Sequence, residues 1–84
     1  MARGKAVQQL TILGSTGSIG ANTLDVVRRH RQAHRVVALC AHRQVDQLFA
    51  QCLEFQPRYA VLGDAAQAAD LGRRLSAAGC TTEV

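Results

Sequence analysis

Aromatic residues are scarce in this 84-residue chain, with no tryptophan, one tyrosine and two phenylalanines. That scarcity leaves little for bases to stack on and argues against a nucleic-acid partner. The net charge of +4 is uneven: Arg28, Arg29, Arg31, Arg35 and Arg43 share a window without an acidic residue. With no base-reading motif beside them, they are assigned to a solvated helix end and loop. A single proline against seven glycines excludes collagen-like and disordered compositions. Cys40, Cys52 and Cys80 are odd in number and form no C-x-x-C, so neither a disulfide framework nor a zinc site is expected, and they read as reduced, mostly buried thiols. His30 and His34 stand four apart without a third ligand, which gives no metal site. No run approaches the roughly 20 apolar residues of a membrane span, and the first nine residues lack the apolar core of a signal peptide. No membrane is involved on this reading, and the expected location is cytoplasmic.

The chain does have 48% hydrophobic residues and 19% charged ones, the composition of one small globular domain. A chain this short buries only about 60% of its unfolded surface. Its most informative segment is Gly14-Ser15-Thr16-Gly17-Ser18-Ile19-Gly20, between the apolar run Leu10-Thr11-Ile12-Leu13 and a helix-like stretch. A glycine-rich strand-to-helix turn is where nucleotide phosphates bind. Gly14 permits the sharp exit, Gly17 lets backbone approach a pyrophosphate, and Gly20 brings the helix close to the strand. The phosphates then meet helical N–H groups that have no intrahelical acceptor. The spacing is GxxGxxG, one place off the usual fingerprint, so the flanking elements must carry part of the argument.

Those elements alternate as βαβαβαβ, with no fixed repeat. Ile19 to about His30 forms a helix whose covered face is expected to hold Ile19, Thr23, Val26, Val27 and His30. Val36 to Cys40 is a continuous apolar run, as in a parallel strand buried on both faces. Asp46 caps or leads a second helix that carries Val45, Leu48, Phe49, Cys52 and Phe55 and ends before Pro57, with both phenylalanines read as core residues. Tyr59 to Leu62 is a third strand, and Gly63-Asp64 is a turn with a candidate cap. Ala65 to Ala78 is a helix closed by Gly79 and weakened by Gly72, and residues 81–84 open a fourth strand. The expected fold is a Rossmann-like α/β domain: a parallel sheet with helices on both faces, incomplete at its end. Residues 1–8 form a polar tail and 9–84 the dinucleotide-binding domain. Right-handed crossovers are expected to set the fourth strand beside the first, with a switch point above the glycine turn.

NAD-binding units place an acidic residue after the second strand, about 20 residues past the glycines. Here Cys40-Ala41-His42-Arg43-Gln44 offers a cation and polar groups, and the first acid is Asp46. Arg43 suits a 2′-phosphate; a charge-assisted bond of roughly 1.5–3 kcal/mol converts to about 10- to 100-fold preference for NADPH over NADH.

The blocks Leu10 to Gly20, Thr23-Leu24-Asp25-Val26-Val27, Arg35 to Leu39, Gln51 to Phe55 and Pro57 to Val61 together resemble the N-terminal part of the 1-deoxy-D-xylulose 5-phosphate reductoisomerase family, from about Gln9 to Val84. The resemblance implies a homodimeric, NADPH-dependent enzyme. It rearranges and reduces 1-deoxy-D-xylulose 5-phosphate to 2-C-methyl-D-erythritol 4-phosphate in non-mevalonate isoprenoid synthesis, with Mg or Mn assisting. By position, the resemblance implies that Thr16, Gly17, Ser18 and Ile19 contact the dinucleotide, beside Gly14 of the turn, and that His42, Arg43 and Gln44 form the loop that grips the 2′-phosphate. The family commonly has Gly, then Lys or Arg, then Asn in that loop, so His42 and Gln44 are departures while Arg43 keeps the charge.

The first helix of the family commonly ends with Pro and an aromatic three residues later, where Arg31 and His34 stand here. The family's metal-binding carboxylates, substrate-phosphate ligands, lid and C-terminal helical domain find no counterpart in this sequence. Its own acids, Asp25, Asp46, Glu54, Asp64, Asp70 and Glu83, show no paired spacing and read as caps and solvated faces. No catalytic or metal-ligating residue is therefore assigned, and these residues alone are expected to bind cofactor without catalysis. A small NADPH-binding module, a decayed fragment, and the nucleotide half of another NADPH-linked dehydrogenase remain open on the residues alone.

Overall fold

The computed structural model describes residues 7–84, so residues 1–6 of the expected tail lie outside it. Gln8 already belongs to a strand, its N–H donating to the Ala33 carbonyl at 2.9 Å. Six elements follow in order: β1 (Gln8–Leu13), α1 (Ser18–Arg29), β2 (His34–Ala41), α2 (Val45–Phe55), β3 (Tyr59–Leu62) and α3 (Ala65–Ala77). The strands form a parallel sheet in the order β1-β2-β3, as strands joined by helices must.

Alternation along the strands shows which face is covered. Ile12, Ala60 and Leu62 are buried, whereas Leu13, Tyr59 and Val61 on the opposite face are exposed. Leu24 and Val27 of α1, Leu48 and Cys52 of α2, and Leu71 and Leu75 of α3 complete one core against the buried strand residues. All three helices thus lie on one face of the sheet, which corrects the expectation of helices on both. The reason is topological: each right-handed crossover steps in the same direction, and same-direction steps keep their helices on the same side.

The segment after α3 continues that direction. Glu83 makes a lone parallel bridge to Tyr59, at the edge of β3. The expected fourth strand beside β1 is therefore not found among the described residues, and neither is the chain reversal that would create a switch point. Ala60 N–H donates to Glu83 O and Glu83 N–H to Arg58 O, at 2.7 and 3.0 Å.

Local signals hold at several boundaries. Asp64 caps α3 by accepting from Ala66 and Gln67 N–H, at 2.9 and 3.1 Å. Gly79, at φ +76°, closes the helix in the left-handed region. Asp46 does not cap α2; the cap position is Gln44, and the Asp46 carboxylate in the first turn accepts from Arg74 of α3 at 2.7 Å. The buried stripe of α1 is Gly20, Leu24 and Val27, while Ile19 is 82% and Val26 50% exposed. The expected face was rotated because it ignored Gly20, whose close seat on the turn fixes the roll of the helix. Of the thiols, only Cys52 is fully buried. Phe55, at the core margin, lies under the guanidinium groups of Arg28 and Arg31, which also pair with Glu54.

Candidate functional site

The glycine turn occupies the carboxyl end of β1, where ligands of open α/β sheets bind. Gly14 takes φ +68°, which a side chain would disfavour, and its carbonyl accepts from Gly17 N–H at 3.0 Å. The Ser15 N–H donates to Cys40 O of β2 at 2.9 Å, so the turn is anchored to the neighbouring strand. A Cβ on Gly20 would stand 2.2 Å from the Gly14 carbonyl oxygen and 2.7 Å from Ser15 Cα. Only bare backbone allows this seat of α1 on the turn.

The amino end of α1 is open. Gly17 caps it with extended backbone and no side-chain bond, and the first turn holds no acidic residue. Ala21 is the first residue whose N–H returns to Gly17 O, so the Ser18, Ile19 and Gly20 N–H groups have no intrahelical acceptor. Those donors lie at the positive end of the helix dipole, and the arrangement attracts an anion. Ser18 and Ile19 are exposed and Thr16 is half-buried, which keeps the predicted contact residues together on one accessible turn.

The second predicted group emerges next to it. Leu13 pairs with Cys40 in register, so the turn after β1 and residues 42–44 after β2 leave adjacent strand ends. Arg43 is exposed, and among the described residues it forms no ion pair. It borders a depression of about 270 Å³ with Gln44, Val45, Asp46 and Gln67. Asp46 is the one acid in that depression, and its carboxylate is already bonded to Arg74, so it opposes an arriving anion less. Gln44 starts α2 without a side-chain cap bond, which leaves its amide available. The exposed His42 lies beside Gly63, just after β3: a Cβ on Gly63 would lie 2.5 Å from its Nδ1, and Gly63 N–H donates to Ala41 O at 3.1 Å.

The roles of three residues escaped the sequence reading. Ser15, inside the turn, is fully buried. Gln51 of α2 reaches the turn, donating from Nε2 to the Ser15 carbonyl at 2.9 Å. Gly63 makes room for the His42 ring. No local pattern signals such contacts, because each joins residues far apart in sequence. For metals, no group of three His, Cys, Asp or Glu side chains with ligating geometry occurs among the described residues. These residues do not fit a divalent-metal site.

A parallel sheet, a glycine turn that seats an uncapped helix, and a cationic loop at the next strand end together define an α/β domain of the Rossmann type. The family profile of 1-deoxy-D-xylulose 5-phosphate reductoisomerase matches residues 10–84. Reductoisomerases of that name from Dechloromonas aromatica and Cupriavidus metallidurans are each 59% identical over 78 residues, which is 93% of this chain and 20% of theirs. A crystal structure of DOX-P reductoisomerase in complex with NADPH, fosmidomycin and magnesium aligns at a TM-score of 0.87 and 38% identity, over 92% of this chain and 19% of that one. The enzyme from Zymomonas mobilis in complex with NADPH aligns at 0.84 and 36%, over 92% and 20%. The chain belongs to the 1-deoxy-D-xylulose 5-phosphate reductoisomerase family and spans about a fifth of the length of these relatives. Membership removes the reading as another dehydrogenase's nucleotide half. No helix of the described residues is long and apolar enough to cross a membrane.

Proposed function

We propose that this chain supplies the NADPH-binding part of a reductoisomerase that converts 1-deoxy-D-xylulose 5-phosphate to 2-C-methyl-D-erythritol 4-phosphate. The observation that carries the reading is the uncapped start of α1, seated by Gly20 on the Gly14 turn and flanked by Arg43. The pyrophosphate rests on the N–H groups of Thr16, Ser18 and Ile19, with Gly14 and Gly17 giving backbone access. His42, Arg43 and Gln44 hold the 2′-phosphate, Arg43 by charge and Gln44 by its free amide. NADPH, when bound, supplies hydride to the substrate's aldehyde. The substrate groups and the divalent metal, Mg or Mn, are held outside these residues. The reading extends to a homodimer, which light scattering of the purified protein tests, and to a cytoplasmic location, which fractionation of the host cell tests.

The direct test is a fluorescence titration with NADPH and NADH at matched low salt, repeated on Arg43→Ala. Binding of NADPH about 10- to 100-fold tighter than NADH, falling to the NADH level in the variant, is the expected result. Equal binding of the two cofactors, or a preference untouched by the substitution, would remove Arg43 from the 2′-phosphate site.

A further inference from the structure

We infer that Gln51 is a positioning residue for the dinucleotide site: from α2 it fixes the orientation of the Ser15–Thr16 peptide and thereby aims the Thr16 N–H at the cofactor. The inference rests on the cofactor reading above and adds a residue that touches no ligand. Three observations meet here. Gln51 Nε2 donates to Ser15 O at 2.9 Å, across 36 positions of sequence. The Ser15 N–H is pinned from the other side by Cys40 O at 2.9 Å. Gln51 Oε1 and Ser15 Oγ are buried and have no protein partner, so the Ser15 carbonyl is the one protein group among the described residues to which the Gln51 side chain is bonded.

A trans peptide is planar, with its C=O and the following N–H pointing in opposite directions. Holding the Ser15 carbonyl toward α2 therefore turns the Thr16 N–H away from α2. With that bond lost, the peptide is free to rotate and to present a carbonyl where an anion needs a donor. The same helix joins both halves of the site: Gln44 and Gln51 are seven apart, on one side of α2 and separated by about 10 Å of helix. The 2′-phosphate loop and the pyrophosphate turn thus share one strut.

The test combines binding with hydrogen exchange. In Gln51→Leu, affinity for NADPH and NADH falls equally, by roughly five- to tenfold, because the turn serves both cofactors. In Gln51→Glu the carboxylate faces a carbonyl and binding is weak at neutral pH. As the pH falls the protonated carboxyl regains a donor, so the ratio of variant to wild-type affinity for 2′,5′-ADP, taken at each pH, climbs back toward one. Without any nucleotide, the Ser15 and Gly17 amides exchange at least about tenfold faster in Gln51→Leu, while those of β2 keep their protection. A pH-independent ratio, or a loss confined to NADPH, would overturn the inference. If neither cofactor binds the wild-type chain, the cofactor reading fails by itself and the exchange rates decide whether Gln51 orders the turn; unchanged rates overturn that as well.

Discussion

A methyl group on Gly20 would sit 2.2 Å from the Gly14 carbonyl oxygen, 2.7 Å from Ser15 Cα and 2.9 Å from the Gly14 carbonyl carbon. All three obstacles are backbone, so no side chain can swing aside. Restoring ordinary contact near 3.5 Å requires α1 to withdraw by about 1 Å from β1, opening the packing around Leu24 and Val27. Overpacking of this kind costs about 1–3 kcal/mol, and the backbone obstacles place Gly20→Ala at the upper end. Replacing a helical glycine by alanine returns about 1 kcal/mol. The net destabilisation is about 2 kcal/mol, or roughly 8–16 °C in Tm for a domain this small. Gly72 of α3 is the control within the same chain, since its added Cβ meets only Val84 Cγ2, at 3.9 Å. Gly72→Ala therefore keeps the propensity gain and stabilises by about 0.5–1 kcal/mol. Urea unfolding followed by circular dichroism reads both, with the slope m unchanged if only the native state is affected. Shifts of opposite sign are expected. A Gly20→Ala chain as stable as the wild type would refute the close seat of α1 on the turn.

Two further outcomes follow from the charges and thiols. The hydrogen bonds from Arg28, with those from Arg31, hold the Glu54 carboxyl below its usual range. A carboxylate whose folded value is depressed stabilises above its unfolded value, about 4.3, and loses that contribution as pH falls through the folded one. The stability difference between wild type and Glu54→Gln is thus expected to be full at pH 6, to decline as the pH falls below about 4.3, and to shrink in high salt because the pair is partly exposed; a difference that stays constant down into the acid range would contradict it. Burial pushes the Cys52 thiol up to about 12, with the nearby Cys80 thiol adding to the shift. Iodoacetamide at pH 8 should label the partly exposed Cys40 and Cys80 well before Cys52, and all three alike in urea. Early native labelling of Cys52 would show that α2 is not seated as described.

Elements whose signals are local were legible in the sequence. Asp64 and Gly79 bracket α3 through short-range capping chemistry, and the apolar run of β2 reads directly as a parallel strand. The position of the turn was also legible, because Gly14, Gly17 and Gly20 lie within one strand-to-helix junction. The sheet edge that residues 81–84 join was not. Pairing Glu83 with Tyr59 depends on which sheet edge offers a partner, and periodicity in residues 81–84 carries no such information. The roll of α1 was misread for a related reason: Ile19 and Val26 look like core residues by hydrophobicity, yet backbone contact at Gly20 outweighs them. Gln51 was visible only as part of one block of the family resemblance, since the bond to Ser15 exists only after β1, β2 and α2 have assembled.

The measurement that bears most directly on the account is a residue-resolved NMR titration of the 15N-labelled chain with NADPH. The account requires the largest amide shifts at Thr16, Ser18 and Ile19, together with shifts at His42, Arg43 and Gln44 that NADH fails to reproduce. Shifts concentrated at the opposite end of the sheet, around Arg31, His34 and Arg35, or no shifts at all, would contradict it.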